Sequence, residues 1–186
     1  AVVTIGTFDG VHVGHQRILS KLIETARHTG GETVLLTFFP HPRLIINPDD
    51  DSLRLINDIE EKTHRLALAG IDHLIITPFT RDFSIQTPEE YISNVLVNKI
   101  GCKSIIIGYD HHFGKDRAGN IQELTKYSSI FDFQVSEIPK QDIDDVGVSS
   151  TRIRESLIKG DISTANKYLD YPFELTGTVV KGDQIG

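Results

Sequence analysis

Two histidines three residues apart, His12 and His15, follow the first apolar run in the string Gly6-Thr7-Phe8-Asp9-Gly10-Val11-His12-Val13-Gly14-His15. Glycine lets backbone approach a ligand closely and adopt unusual dihedrals. Gly14 leaves room between the imidazoles for a phosphate-sized group. A helix starting at His15 would turn its free N–H groups and its dipole toward an anion. The string is neither the G-x-G-x-x-G fingerprint nor a Walker A loop, which needs Gly-Lys-Ser/Thr. Helical zinc sites place His at i and i+4 beside a Glu, and neither feature is present, so no preformed metal site is expected. Taken alone, the pair could be two histidines that fell near a turn by chance. The whole string, with three glycines and a helix start, points to nucleotide phosphate binding.

Three more segments carry unusual chemistry. Thr37-Phe38-Phe39-Pro40-His41-Pro42 offers aromatic surface on a turn stiffened by proline. Gly108-Tyr109-Asp110-His111-His112-Phe113-Gly114, with Arg117 and Gly119, follows a later apolar run. His111 and His112 read as loop polarity rather than ligands to one metal. Val148-Ser149-Ser150-Thr151-Arg152-Ile153-Arg154 places hydroxyls and free N–H groups at a helix start, with Arg154 one turn in and able to grip phosphate bidentately. Its plainer reading is an ordinary Ser/Thr cap with exposed arginines.

The elements that position these segments are legible from periodicity. Strands are expected at 2–5, 33–38, 73–77, 104–107 and 133–138. Helices are expected at 15–27, with Ile18, Leu19, Leu22, Ile23 and Ala26 on one face, at about 59–69, from Thr87-Pro88-Glu89-Glu90 to about 99, from Asn120, at about 151–159, and to 169. Residues 39–57 and 140–148 read as irregular loops. Strands alternating with helices imply parallel crossovers and a doubly wound, mainly parallel, five-stranded Rossmann-like α/β sheet. Such sheets bind ligands beyond the carboxyl ends of their strands at the topological switch point. The unusual loops follow strands one, two, four and five, and strand four should neighbour strand one.

Composition narrows the function classes. The 186 residues carry 19 Lys+Arg against 26 Asp+Glu, a formal charge of −7, which argues against a general nucleic-acid binder. No apolar run approaches a bilayer span and no signal pattern is seen, so no membrane partner is expected. The single cysteine, Cys102, excludes an intrachain disulfide and fits a reducing cytoplasm.

The first string carries the H-x-G-H signature of the nucleotidylyltransferase superfamily. In its fuller form, G-x-F-D-G-x-H-x-G-H, it resembles the FMN adenylyltransferase (FAD synthetase) module of bacterial bifunctional riboflavin kinase/FMN adenylyltransferases. The T-F-x-P-H-P, G-x-N/D-x-x-F-G-x-x-R-x-G and S-S-T-x-I-R segments are similar to the same family. The resemblance implies ATP + FMN giving FAD + pyrophosphate, with Mg²⁺ entering with ATP. It implies catalytic roles for His12, His15 and Arg154. It places ATP against Gly6, Thr7, Phe8, Asp9, Gly10, Gly14, Gly108, Asp110, Ser149, Ser150 and Thr151. It places flavin against Phe38, Phe39, Pro40, His41, Pro42 and Phe113. Asp110 stands where many relatives carry Asn, which leaves ribose or magnesium binding open for it. Residues 1–169 are expected to form the adenylyltransferase domain. Residues 170–186 are expected to be a linker and the first strand of a truncated riboflavin kinase barrel, too short to act as a kinase. A full-length protein would then also phosphorylate riboflavin. The alternatives are another H-x-G-H nucleotidylyltransferase, such as a cytidylyltransferase or pantetheine-phosphate adenylyltransferase, and a non-catalytic flavin- or nucleotide-binding module.

Overall fold

A computed structural model describes residues 1–50, 52–139 and 147–182. Five strands, β1 (Val2–Ile5), β2 (Thr33–Phe39), β3 (His73–Pro78), β4 (Ser104–Gly108) and β5 (Gln134–Ile138), form one sheet in the order β3-β2-β1-β4-β5. Every pairing is parallel: Val3 lies opposite Val34 on one side and Ile105 on the other. The chain therefore winds outward from β1 through β2 to β3, then returns to lay β4 against the free edge of β1. That reversal makes the β1/β4 boundary the switch point, as the strand pattern predicts.

The central strands β1 and β4 are buried throughout and mostly apolar because helices cover both faces. Side chains alternate across the sheet. Val3, Ile5, Leu36, Ile105 and Ile107 face one layer, built from Tyr91, Ile92, Val95, Leu96 and Leu124. Val2 and Ile106 pack with Leu22 and Ala26, and Leu35 with Leu19 and Leu66, on the other.

Helix α1 (Val13–Thr29) starts two residues before the expected position, capped by His12, whose Nδ1 accepts the His15 N–H at 3.3 Å. It ends at Gly30, whose φ of 65° suits glycine. The expected irregular stretch after β2 contains a short helix, α2 (Pro42–Ile46), begun by Pro42 at its first turn. Then come α3 (Ile59–Leu68) and α4 (Arg81–Ser84). Helix α5 (Pro88–Glu90) opens with the expected Thr87/Glu90 capping box and runs on as a π-helix over Tyr91–Lys99. The wider turn, closed by bonds such as Ile100 N–H to Val95 C=O at 3.1 Å, brings Tyr91, Ile92, Val95 and Leu96 together onto the sheet. Asn120 caps α6 (Ile121–Phe131), and Ser149 caps α7 (Ser150–Ile158), which leads to α8 (Ile162–Leu169).

Most of the loop expected at 140–148 lies outside the described residues. Residues 172–182 form neither helix nor strand, and Val179 and Val180 are exposed. Among the described residues no helix is long and apolar enough to cross a membrane.

Candidate active site at the carboxyl ends of β1 and β2

The turn between β1 and α1 is conformationally demanding. Phe8 (φ 47°) and Val11 (φ 37°) occupy the left-handed region, costly for any residue with a Cβ and most of all for β-branched valine. Backbone held this way persists only where surrounding contacts over-determine it, and such strain clusters at functional sites. The contacts here are extensive. Gly10 sits so close to Ile56 that a Cβ would come within 3.0 Å of that side chain. The Tyr171 hydroxyl donates to the Gly10 carbonyl at 2.7 Å, and the Ser150 hydroxyl to the Asp9 carbonyl at 2.9 Å.

Asp9 is the hub of this packing and is 2% exposed. One carboxylate oxygen accepts the backbone N–H groups of Ile56 (2.9 Å) and Asn57 (3.3 Å). The other accepts Arg154 Nη2 at 2.6 Å, while Arg154 Nε donates to the Arg54 carbonyl at 2.6 Å. Helix α7 is thereby tied to the β1–α1 turn, with Arg154 reaching Asp9 from 145 residues away, close enough for its charge to act on His12.

The imidazoles of His12 and His15 stack, with ring centroids 3.7 Å apart and planes 14° from parallel. Phe8 tilts against His15 at 4.8 Å. Because His12 Nδ1 accepts a backbone N–H, its neutral ring carries the proton on Nε2 and can donate from there. Burial lowers the His12 pKa to about 4; the Asp9 carboxylate opposes this and the Arg154 guanidinium adds to it. Burial, then His12 and Lys62, hold His15 well below the ordinary imidazole value. Both rings are neutral near pH 7. Among the described residues His15 Nδ1 is buried with no hydrogen-bond partner, a polar atom whose burial is costly until something bonds it.

This has a consequence for stability. Between the ordinary value of 6.5 and the lowered folded value, the unfolded chain binds a proton that the folded chain refuses. Stability is therefore full above pH 6.5 and drains as pH falls toward 4. His12 alone should cost about 2 kcal/mol at pH 5 relative to pH 7.5, and His15 adds in the same direction. Urea midpoints at the two pH values measure this. His12→Asn should flatten part of the slope, and an unchanged slope would remove His12 from it.

Lys62, which the sequence motifs do not single out, belongs to the same site. It lies on α3, is 8% exposed, and its Nζ donates to the Thr7 carbonyl at 2.9 Å. The Thr37 hydroxyl donates to the same carbonyl at 3.3 Å. Burial lowers the Lys62 pKa, opposed by nearby Asp9. A signal existed in the sequence: Lys62 falls on the stripe of Ile59 and Leu66, where a helix of this kind buries apolar residues.

His41 stands close by. Burial lowers its pKa, and the charges of Asp9, Arg154, Lys62 and Arg43 act on it. Its Nδ1 accepts the Arg43 N–H at 3.2 Å, capping α2. The peptide bond between Phe39 and Pro40 is cis. Phe39 is 50% exposed, whereas Phe38 turns inward against Phe79 and Phe83. Of the two rings in that motif, Phe39 is the one open to a ligand.

The loop after β4 splits similarly. Asp110 is exposed, and the His111 N–H closes a turn on the Gly108 carbonyl at 3.1 Å. Phe113 is buried in the main core with Tyr91 at 5.2 Å, and a Cβ on Gly119 would come within 2.5 Å of its ring. Phe113, expected beside the flavin, is packed into the core here and leaves only 8% of its surface exposed. In the S-S-T segment, Ser149 Oγ accepts the Arg152 N–H at 3.3 Å and Ser150 is engaged with Asp9, while Thr151 is exposed. Arg152 bonds the Gly147 carbonyl. Among the described residues no three His, Cys, Asp or Glu side chains form a metal cluster.

The site thus gathers two stacked neutral imidazoles, a helix N-terminus, an arginine, a buried ammonium and an exposed ring. The sequence pattern of the FAD synthetase family matches residues 1–152. The chain is 33% identical over 185 residues to a bifunctional riboflavin kinase/FMN adenylyltransferase of Listeria monocytogenes, covering 100% of this chain and 58% of that protein. It is 33% identical over 186 residues to an FAD synthetase of the same organism, covering 100% of this chain and 75% of that one. A crystal structure of a protein described as a macrolide-efflux protein, from Streptococcus pneumoniae, superposes with a TM-score of 0.81 at 29% identity, over 93% of this chain and 56% of that one. The chain spans about three fifths of the length of the bifunctional relatives.

Proposed function

The chain belongs to the FAD synthetase family, and from that premise we propose that it transfers the adenylyl group of ATP to FMN, releasing FAD and pyrophosphate. The observation that carries this reading is the stacked pair of neutral imidazoles at the N-terminus of α1, with Arg154 held beside it.

An FMN phosphate oxygen attacks the α-phosphorus of ATP, the bond to the β-phosphate bridging oxygen breaks, and pyrophosphate leaves. The nucleophile is already anionic near neutral pH, so no side chain has to remove a proton. The site has to align two polyanions and neutralise charge that grows in the transition state. His12 donates from Nε2 and His15 from one ring nitrogen to phosphoryl oxygens. The α1 N–H groups add a fixed positive field. Arg154, Ser149 and Thr151 hold the departing pyrophosphate. Gly6, Gly10 and Gly14 keep the turn open to the nucleotide, with Gly108 and Asp110 across the switch point.

Mg²⁺, when bound with ATP, neutralises phosphate charge and is ligated chiefly by phosphate oxygens and water. Asp9 is committed to Arg154 and two backbone donors, so of these two carboxylates it is the exposed Asp110 that would be free to meet the ion or its waters, or a ribose hydroxyl. On the acceptor side, Phe39 gives its face to the isoalloxazine, with Pro40, His41 and Pro42 shaping the turn. Residues 170–186 serve as a linker toward a kinase domain, and a longer protein with such a domain would also phosphorylate riboflavin.

Incubating the chain with ATP, Mg²⁺ and FMN should yield FAD and pyrophosphate in equal amounts. FMN binding with no product would favour a binding module, and turnover of CTP with a phospho-alcohol would favour another nucleotidylyltransferase. Phe39→Ala should weaken FMN binding about 10-fold while leaving the KM for ATP unchanged, as expected for one lost aromatic stack. Unchanged FMN affinity, read by fluorescence quenching, would place the flavin elsewhere.

A further inference from the structure

We infer that Lys62 is the cation that receives the phosphate of the acceptor, holding the attacking group against the adenylyl donor; this rests on the FMN adenylyltransferase reading above. Lys62 is delivered by a rigid element. Asp58 caps α3 by accepting the Glu61 N–H at 2.7 Å, and the Glu61 carboxylate accepts the Asp58 N–H at 3.1 Å. The lysine follows one residue later, on the helix face that carries buried Leu66.

Its ammonium is buried, yet among the described residues no carboxylate forms an ion pair with it, and its one hydrogen bond is to the Thr7 carbonyl. The nearby carboxylate, Asp9, is already taken by Arg154 at 2.6 Å. A buried charge without a close partner is expensive, and proteins keep one where a ligand supplies the counter-charge. The field of Lys62 reaches the surrounding groups, since it helps keep both His15 and His41 unprotonated. A dianionic phosphate entering here would meet Lys62 together with the unpartnered Nδ1 of His15.

Position chooses between the two phosphates of the reaction. Thr7 lies just past the end of β1 and Thr37 on β2, and the Thr7 carbonyl that Lys62 bonds also accepts the Thr37 hydroxyl. Lys62 therefore reaches the boundary of β1 and β2, near enough to both His15 and His41, which lies in the proposed flavin turn, for its charge to act on each. Arg154 approaches the pair from α7 and Asp9, and serves the nucleotide. A lysine on the β2 side is set for the acceptor. It contributes by cancelling repulsion between two phosphates that must come within bonding distance, and it moves no proton.

The test compares two acceptors that differ by one phosphate, FMN and riboflavin, bound to the chain and to Lys62→Met and Lys62→Arg. The chain itself should prefer FMN. Lys62→Met should weaken FMN binding about 10–100-fold, the size expected for a charge-assisted contact, and leave riboflavin binding unchanged, which also reports an intact fold. Lys62→Arg should keep most of the preference. Equal losses for both flavins would make Lys62 a scaffold residue and overturn the inference. So would a rise in the KM for ATP with FMN affinity intact. If the unsubstituted chain forms FAD and Lys62→Met retains full FMN affinity, the inference fails alone. If the unsubstituted chain makes no FAD and binds neither flavin, the adenylyltransferase reading fails with it.

Discussion

His15→Ala should lower the turnover of FAD formation about 10²–10³-fold, the usual loss for one preorganised donor to a developing oxyanion. The geometry argues for an effect of this size rather than a smaller one. The His15 ring is fixed between His12 and Phe8, so its donor costs little to orient when substrate arrives. It is uncharged near pH 7 and still carries one ring N–H to donate. The α1 cap uses the His15 backbone N–H, which alanine retains, so the helix start survives the substitution. Single-turnover rates with saturating ATP and FMN measure the effect. A variant near full rate would take His15 out of the chemistry.

Asp9→Ala should destabilise the fold by about 3–5 kcal/mol, the cost of leaving one member of a buried charge pair behind. It also removes the acceptor for two backbone N–H groups, those of Ile56 and Asn57. With the anchor gone, Arg154 loses its orientation and activity falls along with stability. Lys21→Ala is the control. It breaks the solvent-exposed Lys21–Glu24 pair at 2.9 Å, and should leave the urea midpoint almost unchanged. Urea midpoints compare the two. An Asp9→Ala protein within about 1 kcal/mol of the parent would show that Asp9 is no hub.

The fold is legible in the sequence where local rules agree with one another. The continuous apolar runs at Val34–Leu36 and Ile105–Ile107, and the alternation of strand and helix, are enough to place β4 beside β1 and the switch point between them. The caps at Thr87, Asn120 and Ser149 are each a residue type and a spacing, and each is where it should be. The π-helix after Glu90 is not legible, because Tyr91–Lys99 has the composition of any buried helix and only its packing on the sheet widens the turn.

The site divides along the same line. His12, His15 and Arg154 stand together because short motifs carry them. What the motifs omit is how residues far apart are used. Asp9 reads as a nucleotide contact, yet the side chain is spent on Arg154 and the 56–57 backbone. Of the aromatic rings in these motifs, Phe113 is buried, Phe38 is half-buried against Phe79 and Phe83, and Phe39 is the most exposed. Lys62 lies in no motif; its meaning comes from the Thr7 carbonyl 55 residues away.

A structure of the chain with a non-hydrolysable ATP analogue and FMN would show directly which residues hold the phosphates. The triphosphate should lie across the N-terminus of α1, with phosphoryl oxygens on His12 Nε2 and a ring nitrogen of His15, and the FMN phosphate toward Lys62. Phosphates bound at any other edge of the sheet, away from both imidazoles, would contradict this placement.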